Sequence, residues 1–196
     1  ILIIADESAD PAIVAVDILG QAEHDPNARQ CLVSLSRKTA EEAMKEVDRQ
    51  LADLPTRDIA AVSWRDNGEV VVADSPEEAV RLSDAWAPEH VEIQTKDWRY
   101  YLDNLKNYGS AFLGEETTVA YGDKTIGTNH VLPTMGAARY TGGLSVGKFV
   151  KTVTYQYATK EASLVVADVC ERACNYENML AHGISCRARL EKYGKK

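Results

Sequence analysis

Ile1-Leu2-Ile3-Ile4-Ala5, followed by the helix start Asp10-Pro11, decides how this chain is read. A continuous apolar run of this kind is the signature of a parallel strand buried on both faces. Asp10 stands where an N-cap belongs and Pro11 at the first helical position. Ile13, Val14, Val16, Ile18 and Leu19 then carry a helix to about Glu23. Working outward, Cys31 to Leu35 reads as the next strand. Thr39 is expected to cap a long charged helix reaching about Leu54, with Glu42 at capping-box distance. Ile59–Trp64 and Glu69–Ala73 read as short strands. Ser75-Pro76 opens a helix to Trp86, His90–Gln94 is a strand, Trp98 to about Asn107 a helix, and Gly109–Gly114 a further strand. Strands alternating with helices of about a dozen residues imply a parallel, doubly wound sheet.

The texture changes past residue 120. Residues 121–147 are rich in Gly, Thr, Asn and Pro and read as a functional loop region. From Glu161 onward the pattern is helical. The expected fold is therefore α/β, an incomplete Rossmann-like parallel sheet with helices on both faces, followed by a helical C-terminal tail. Residues 1–133 would form the Rossmann-like domain, and 134–196 a loop region and tail that contact a dimer partner.

The bulk numbers exclude several classes. With 45% apolar and 27% charged residues, the chain has the composition of a globular protein. Its net charge of −8 and lack of a basic stripe argue against a nucleic-acid partner. No apolar run reaches the roughly 20 residues that span a bilayer. The opening run has no Met ahead of it, no basic n-region and no cleavage site, so it reads as an internal start and the chain as a piece of something longer. The four cysteines (Cys31, Cys170, Cys174, Cys186) lack the spacing of a disulfide framework, which points to a reduced, cytoplasmic setting.

Four segments concentrate unusual polar residues. Gln21 and His24 are three apart at the end of the first helix, so they share a face and can chelate a metal; a solvated helix end is the alternative. In Ala87-Pro88-Glu89-His90, proline stops a helix and is expected to set an adjacent carboxylate and imidazole at the carboxyl edge of the sheet, where open α/β folds bind ligands. A capped turn is the plainer reading. Tyr121-Gly122-Asp123 and Gly127-Thr128-Asn129-His130-Val131-Leu132-Pro133 pack an Asp, an Asn and a His into a Gly-bounded loop, by function or by an Asx turn network. Glu177 and His182 are five apart in the tail and share no face well.

Other patterns carry less. Gly142–Lys148 nearly fits a phosphate loop, but Phe149 stands where Ser or Thr must reach magnesium, and no G-x-G-x-x-G fingerprint occurs. Cys170 and Cys174, at i,i+4, can join His182 as soft metal ligands or serve as ordinary helix-face residues.

Taken together, Gln-x-x-His-Asp, Ala-Pro-Glu-His, Gly-Asp with Gly-Thr-Asn-His-Val-Leu-Pro-Thr, and Glu-x4-His closely resemble the histidinol dehydrogenase family. The opening Leu-Ile-Ile-Ala-Asp-Glu resembles the strand that begins the second half of those enzymes, and the likeness covers essentially all 196 residues. The resemblance implies an NAD-dependent alcohol dehydrogenase containing Zn2+. It assigns Gln21, His24, Asp123 and His182 as metal ligands that also meet the substrate, Glu89 as the residue activating water, and His90 as the general acid/base. His130 and Glu177 correspond to substrate contacts. It further implies a homodimer in which His182 completes the neighbour's zinc site, a small-molecule alcohol as substrate, a place in histidine biosynthesis, and NAD contacts lying mainly outside this stretch. Residues 139–155 depart from the histidinol-oxidising pattern and resemble instead the branch that oxidises 2,3-dihydroxypropane-1-sulfonate. Arg139, Lys148 and Lys151 can there supply a cation for a sulfonate, or be surface charges. A reading of another class is a non-catalytic fragment or dimerisation module that retains the site residues.

Overall fold

The structure, a computed structural model, describes residues 1–128 and 131–194. Two compact units result, Ile1–Val150 and Lys151–Lys196.

In the first unit the strands are β1 (Leu2–Ala5), β2 (Gln30–Ser34), β3 (Gly68–Val72), β4 (His90–Gln94) and β5 (Ser110–Leu113). They form one five-stranded sheet in the order β3-β2-β1-β4-β5, and every pairing is parallel. Its helices are α1 (Pro11–Ala22), α2 (Arg37–Asp53), α3 (Arg57–Asn67), α4 (Pro76–Trp86), α5 (Trp98–Asn104) and the short α6 (Val119–Lys124). Alternation along β1 divides the core. Ile3 and Ala5 face one side, against Val14, Ile18 and Leu19 of α1, Ala43 and Val47 of α2 and Ala60 of α3. Leu2 and Ile4 face the other, with Ala79 of α4 and Tyr101 of α5. Leu2, Ile3, Ile4, Leu32 and Ile93 are fully buried, each contributing roughly 1.5–3 kcal/mol relative to an exposed position. The doubly wound arrangement read from the alternating pattern is the one observed.

The local signals hold in part. Asp10 caps α1 by accepting from the Ala12 amide at 2.8 Å. Ser75 caps α4 through the Glu78 amide at 3.2 Å. The α2 cap is Ser36 rather than Thr39: its hydroxyl accepts from the Thr39 amide at 3.2 Å, so the helix begins a turn earlier. Ile59–Trp64 is not a strand but the middle of α3. A short apolar run cannot be told from a buried helix by periodicity alone. Here Ala60 and Ser63, three apart, are the buried pair, a helical spacing. Residues 121–147 are not all loop either, since Tyr121–Lys124 belong to α6 and 3-10 turns occupy Ala137–Arg139 and Val146–Lys148.

The second unit contains α7 (Lys160–Tyr176) and α8 (Leu180–Tyr193), a helical hairpin. Thr159 caps α7, accepting from the Ala162 amide at 3.1 Å. Asn178 takes the left-handed conformation (φ 60°) that turns the chain. No helix among the described residues is long and apolar enough to cross a membrane.

Candidate active site

Where the functional segments lie follows from the strand direction. In a parallel sheet, a helix returns its C-terminal end to the edge where the next strand begins. His90 opens β4, so Glu89-His90 sits at the amino edge of the sheet. The carboxyl edge expected for this pair is wrong, because the ligand-edge rule concerns loops leaving strands, whereas Pro88-Glu89 leads into one. The last turn of α1 returns to the same edge.

Local backbone features hold the pair in place. Ala87 ends α4 with a left-handed φ of 55°, its amide donating to the Ser83 carbonyl at 2.8 Å. For a residue with a Cβ, that conformation costs roughly 1–2 kcal/mol. The amides of Gly109 and Ser110 donate to the carbonyls of Pro88 and Glu89 at 3.1 and 3.0 Å. Gly109 is required there: a Cβ on it would lie 2.5 Å from the Glu89 carbonyl oxygen and 2.5 Å from Pro133 Cδ. Pro133, from the Gly127–Pro133 string, thus packs against Gly109, whose amide holds the Pro88 carbonyl.

His90 is 6% exposed, and neither ring nitrogen has a hydrogen-bond partner among the described residues. Its ring lies 5.9 Å from that of Phe112. Burial lowers its pKa to about 4, although the Asp123 carboxylate pulls the other way. The imidazole is therefore neutral near pH 7 and free to take a proton. Glu89 is half-buried, and burial, with Asp123 adding, raises its carboxyl above the usual range.

Three of the residues assigned by the resemblance as metal ligands line one cavity. Gln21, His24 and Asp123 line one cavity of about 290 Å³, together with Ile1, Asp17 and Thr118. Gln21 lies in the last turn of α1. His24 follows the helix end, its amide donating to the Gln21 carbonyl at 3.3 Å. Asp123 comes from α6, which Gly122 seats against Phe112; a Cβ at 122 would lie 2.8 Å from that ring. The same ring therefore contacts His90 on one side and the helix carrying Asp123 on another. Glu177 and His182 are exposed and belong to the hairpin unit, and His130 and Asn129 lie outside the described residues. Arg139 donates to the carbonyls of Gly136 and Ala85, and Lys148 is exposed in a 3-10 turn.

The sequence reading missed a buried polar network under this cavity. Asp17 of α1 accepts from Thr118 Oγ1 at 3.0 Å and from Gln94 Nε2 at 2.9 Å. Gln94 Nε2 also donates to Glu92 at 3.2 Å, and the Val119 amide donates to Glu92 at 3.1 Å. Glu92 is wholly buried. Burial and the neighbouring Asp17 hold its carboxyl well above the usual range, and the two carboxyls hydrogen-bond each other. One of them must then carry the proton between them. The network ties α1, β4 and α6 together, the elements bearing Gln21, His90 and Asp123. The signal for it in the sequence was Glu92 and Gln94, which continue the alternate polar positions that His90 begins in β4.

The family model described as histidinol dehydrogenase matches residues 1–190. The chain belongs to the histidinol dehydrogenase family. Relatives include a histidinol dehydrogenase homolog from Shouchella clausii, 50% identical over 195 residues, covering 100% of this chain and 46% of that protein. A sulfopropanediol 3-dehydrogenase from Ruegeria pomeroyi is 48% identical over 194 residues, covering 98% and 45%. The crystal structure of histidinol dehydrogenase from Elizabethkingia anophelis superposes with a TM-score of 0.96 at 33% identity, over 99% of this chain and 45% of that one. The chain thus spans under half the length of these relatives and corresponds to their C-terminal half.

Proposed function

We propose that this chain carries the chemical site of a zinc-containing, NAD-dependent dehydrogenase that oxidises a primary alcohol to a carboxylate in two hydride transfers, L-histidinol to L-histidine being the leading reaction. The observation that supports it most is the convergence of Gln21, His24 and Asp123 on one cavity, with Asp123 and His24 acting electrostatically on a buried His90 whose nitrogens have no partner among the described residues. The donor set fits zinc: an imidazole, a carboxylate and an amide oxygen suit a borderline divalent ion and leave open positions. His182 of a second copy would supply a further ligand in a homodimer with shared sites. Bound there, zinc would grip the substrate as a Lewis acid.

The protein's own groups do the proton work. Neutral His90 takes the hydroxyl proton at a ring nitrogen as the carbinol hydrogen leaves as hydride to NAD. Glu89 then accepts a proton from water as the water oxygen attacks the aldehyde carbon. The resulting gem-diolate gives its carbon-bound hydrogen as a second hydride to a second NAD and releases its remaining hydroxyl proton to solvent, leaving the carboxylate. Burial of His90 against Phe112 limits solvent at the reacting centre, and the fixed edge geometry keeps the aldehyde oriented between steps.

A second reading is favoured by the sulfopropanediol 3-dehydrogenase relative: oxidation of 2,3-dihydroxypropane-1-sulfonate, with Lys148 or Lys151 meeting the sulfonate. Arg139 is the weaker candidate because backbone carbonyls already occupy it. The deciding experiment gives each alcohol to the full-length protein and counts NADH. Two NADH per substrate consumed, with about one zinc per site, supports the reading, and the faster substrate names the branch. One NADH per turnover removes the water-activating role of Glu89.

A further inference from the structure

Sequence spacing placed Cys170 and Cys174 one turn apart on a helix, either joining His182 as soft metal ligands or serving as ordinary helix-face residues. The hairpin adds a third thiol. Cys186 of α8 meets the α7 pair, and the three sulfurs lie within 4.8 Å of one another. All three cysteines are free. The remaining cysteine, Cys31, is buried in β2 of the other unit.

The register that brings them together is fixed by neighbours on both sides. Glu171 and Arg187, each next in sequence to Cys170 and Cys186, form an ion pair across the hairpin, with Arg187 Nε at 2.7 Å. Gly183 lets the helices approach: a Cβ there would lie 3.0 Å from Asn175 Oδ1 and 3.7 Å from Cys174 Cβ. The Met179 amide donates to the Cys174 carbonyl at 2.7 Å, closing the turn directly under the cluster. The thiols line a surface cavity of about 440 Å³ with Ala181, His182 and Ser185.

We propose that Cys170, Cys174 and Cys186 form a thiolate site for a zinc-class divalent ion. Tetrahedral zinc with Zn–S bonds of about 2.3 Å sets its sulfurs roughly 3.8 Å apart. The trio therefore needs to close by about 1 Å at most, which small χ1 adjustments of surface side chains provide. Soft thiolates favour such ions over magnesium or calcium. On binding, each S–H bond breaks heterolytically, three protons go to solvent and one divalent ion takes their place; no group changes oxidation state. His182 lies a turn ahead of Cys186 but is not one of the converging groups, so solvent completes the coordination. The set shares no residue with Gln21, His24 and Asp123, and the proposal does not depend on the dehydrogenase reading.

The test is a cobalt(II) titration of the full chain, reduced and stripped of metal. By two equivalents, one for each candidate site, a sulfur-to-cobalt charge-transfer band should appear in the near ultraviolet, a signature that amide, imidazole and carboxylate ligands cannot give. Cys186→Ser and Cys170→Ser should each remove the band while circular dichroism shows the helices intact. Cys31→Ser should keep it. His182→Ala should keep it too, while abolishing activity if His182 completes a neighbour's site, so the two readings fail separately. Absence of the band from chain whose thiols titrate as reduced overturns the proposal. So does a band that survives in the Cys170→Ser, Cys186→Ser double variant, or the finding that these thiols pair as a disulfide in freshly purified protein.

Discussion

Asp6, just past the carboxyl end of β1, and His90, at the amino end of β4, stand at opposite edges of the same sheet and are served very differently. Asp6 accepts from the Ser8 amide at 2.8 Å, the Ser8 hydroxyl at 2.5 Å and the Lys96 amide at 3.0 Å. His90 is buried, and neither of its nitrogens has a partner among the described residues. Two oxygens at the carboxyl edge, on Gln94 and Thr95, also lack partners among the described residues, but neither group titrates near neutrality. In an open α/β sheet the carboxyl edge is the usual place for a ligand. Here hydrogen bonds satisfy Asp6 at that edge, beside a cavity of about 280 Å³ lined by Ser8, Gln94, Thr95 and Lys96, while the candidate acid/base pair lies at the other edge.

The largest expected effect separates the two edges outright. In the full-length protein, His90→Ala should lower kcat by about 100- to 10,000-fold, the usual worth of a positioned acid/base. Asp6→Ala should leave kcat within a few-fold while costing about 1–3 kcal/mol of stability by orphaning its donors. Steady-state NADH rates and urea denaturation check both, and equal losses of kcat would break the comparison. Next is Gly109→Ala, whose new Cβ would meet the Glu89 carbonyl oxygen at 2.5 Å. Displacing that backbone should cost about 1–3 kcal/mol and at least tenfold in kcat, since small misplacements at a reacting centre are expensive.

Glu92 supplies a pH-dependent contrast. Its folded carboxyl titrates well above the ordinary value of 4.5. Between that value and the raised one, the unfolded chain has released a proton that the folded chain still holds. Stability is therefore greatest at and below about pH 4.5 on this account and falls as pH rises, by up to about 1.4 kcal/mol per unit for one proton. Glu92→Gln, which keeps the shape and never ionises, should flatten that slope in denaturation curves recorded from pH 4 to 8. An unchanged slope would show that the proton resides elsewhere. The smallest effect belongs to Ser36→Ala, at the carboxyl edge, which should cost about 1 kcal/mol as a lost helix cap and leave kcat untouched.

Much of the fold was legible because its signals are local. The β1 run, the Asp10 and Ser75 caps and the alternation of strands with helices all act within a few residues. Ile59–Trp64 failed because a short apolar run fits either period, and burial of Ala60 and Ser63 decided it. The candidate site was legible only as residue types. That Gln21, His24 and Asp123 share a cavity depends on two helices, about a hundred residues apart in sequence, converging on one edge. The Asp17–Glu92 pair was invisible for the same reason: neither carboxyl is unusual until the sheet buries one and α1 brings the other to it.

The placement of Phe112 has a consequence for how such a sequence can drift. Its ring fills the space that a side chain at position 122 would need, and it also abuts His90. Growth at 122 therefore demands shrinkage at 112, and shrinkage at 112 opens a hole beside the imidazole. The three positions pack as one unit, and a larger side chain at 122 should be tolerated only with a smaller one at 112, at the cost of the packing beside His90.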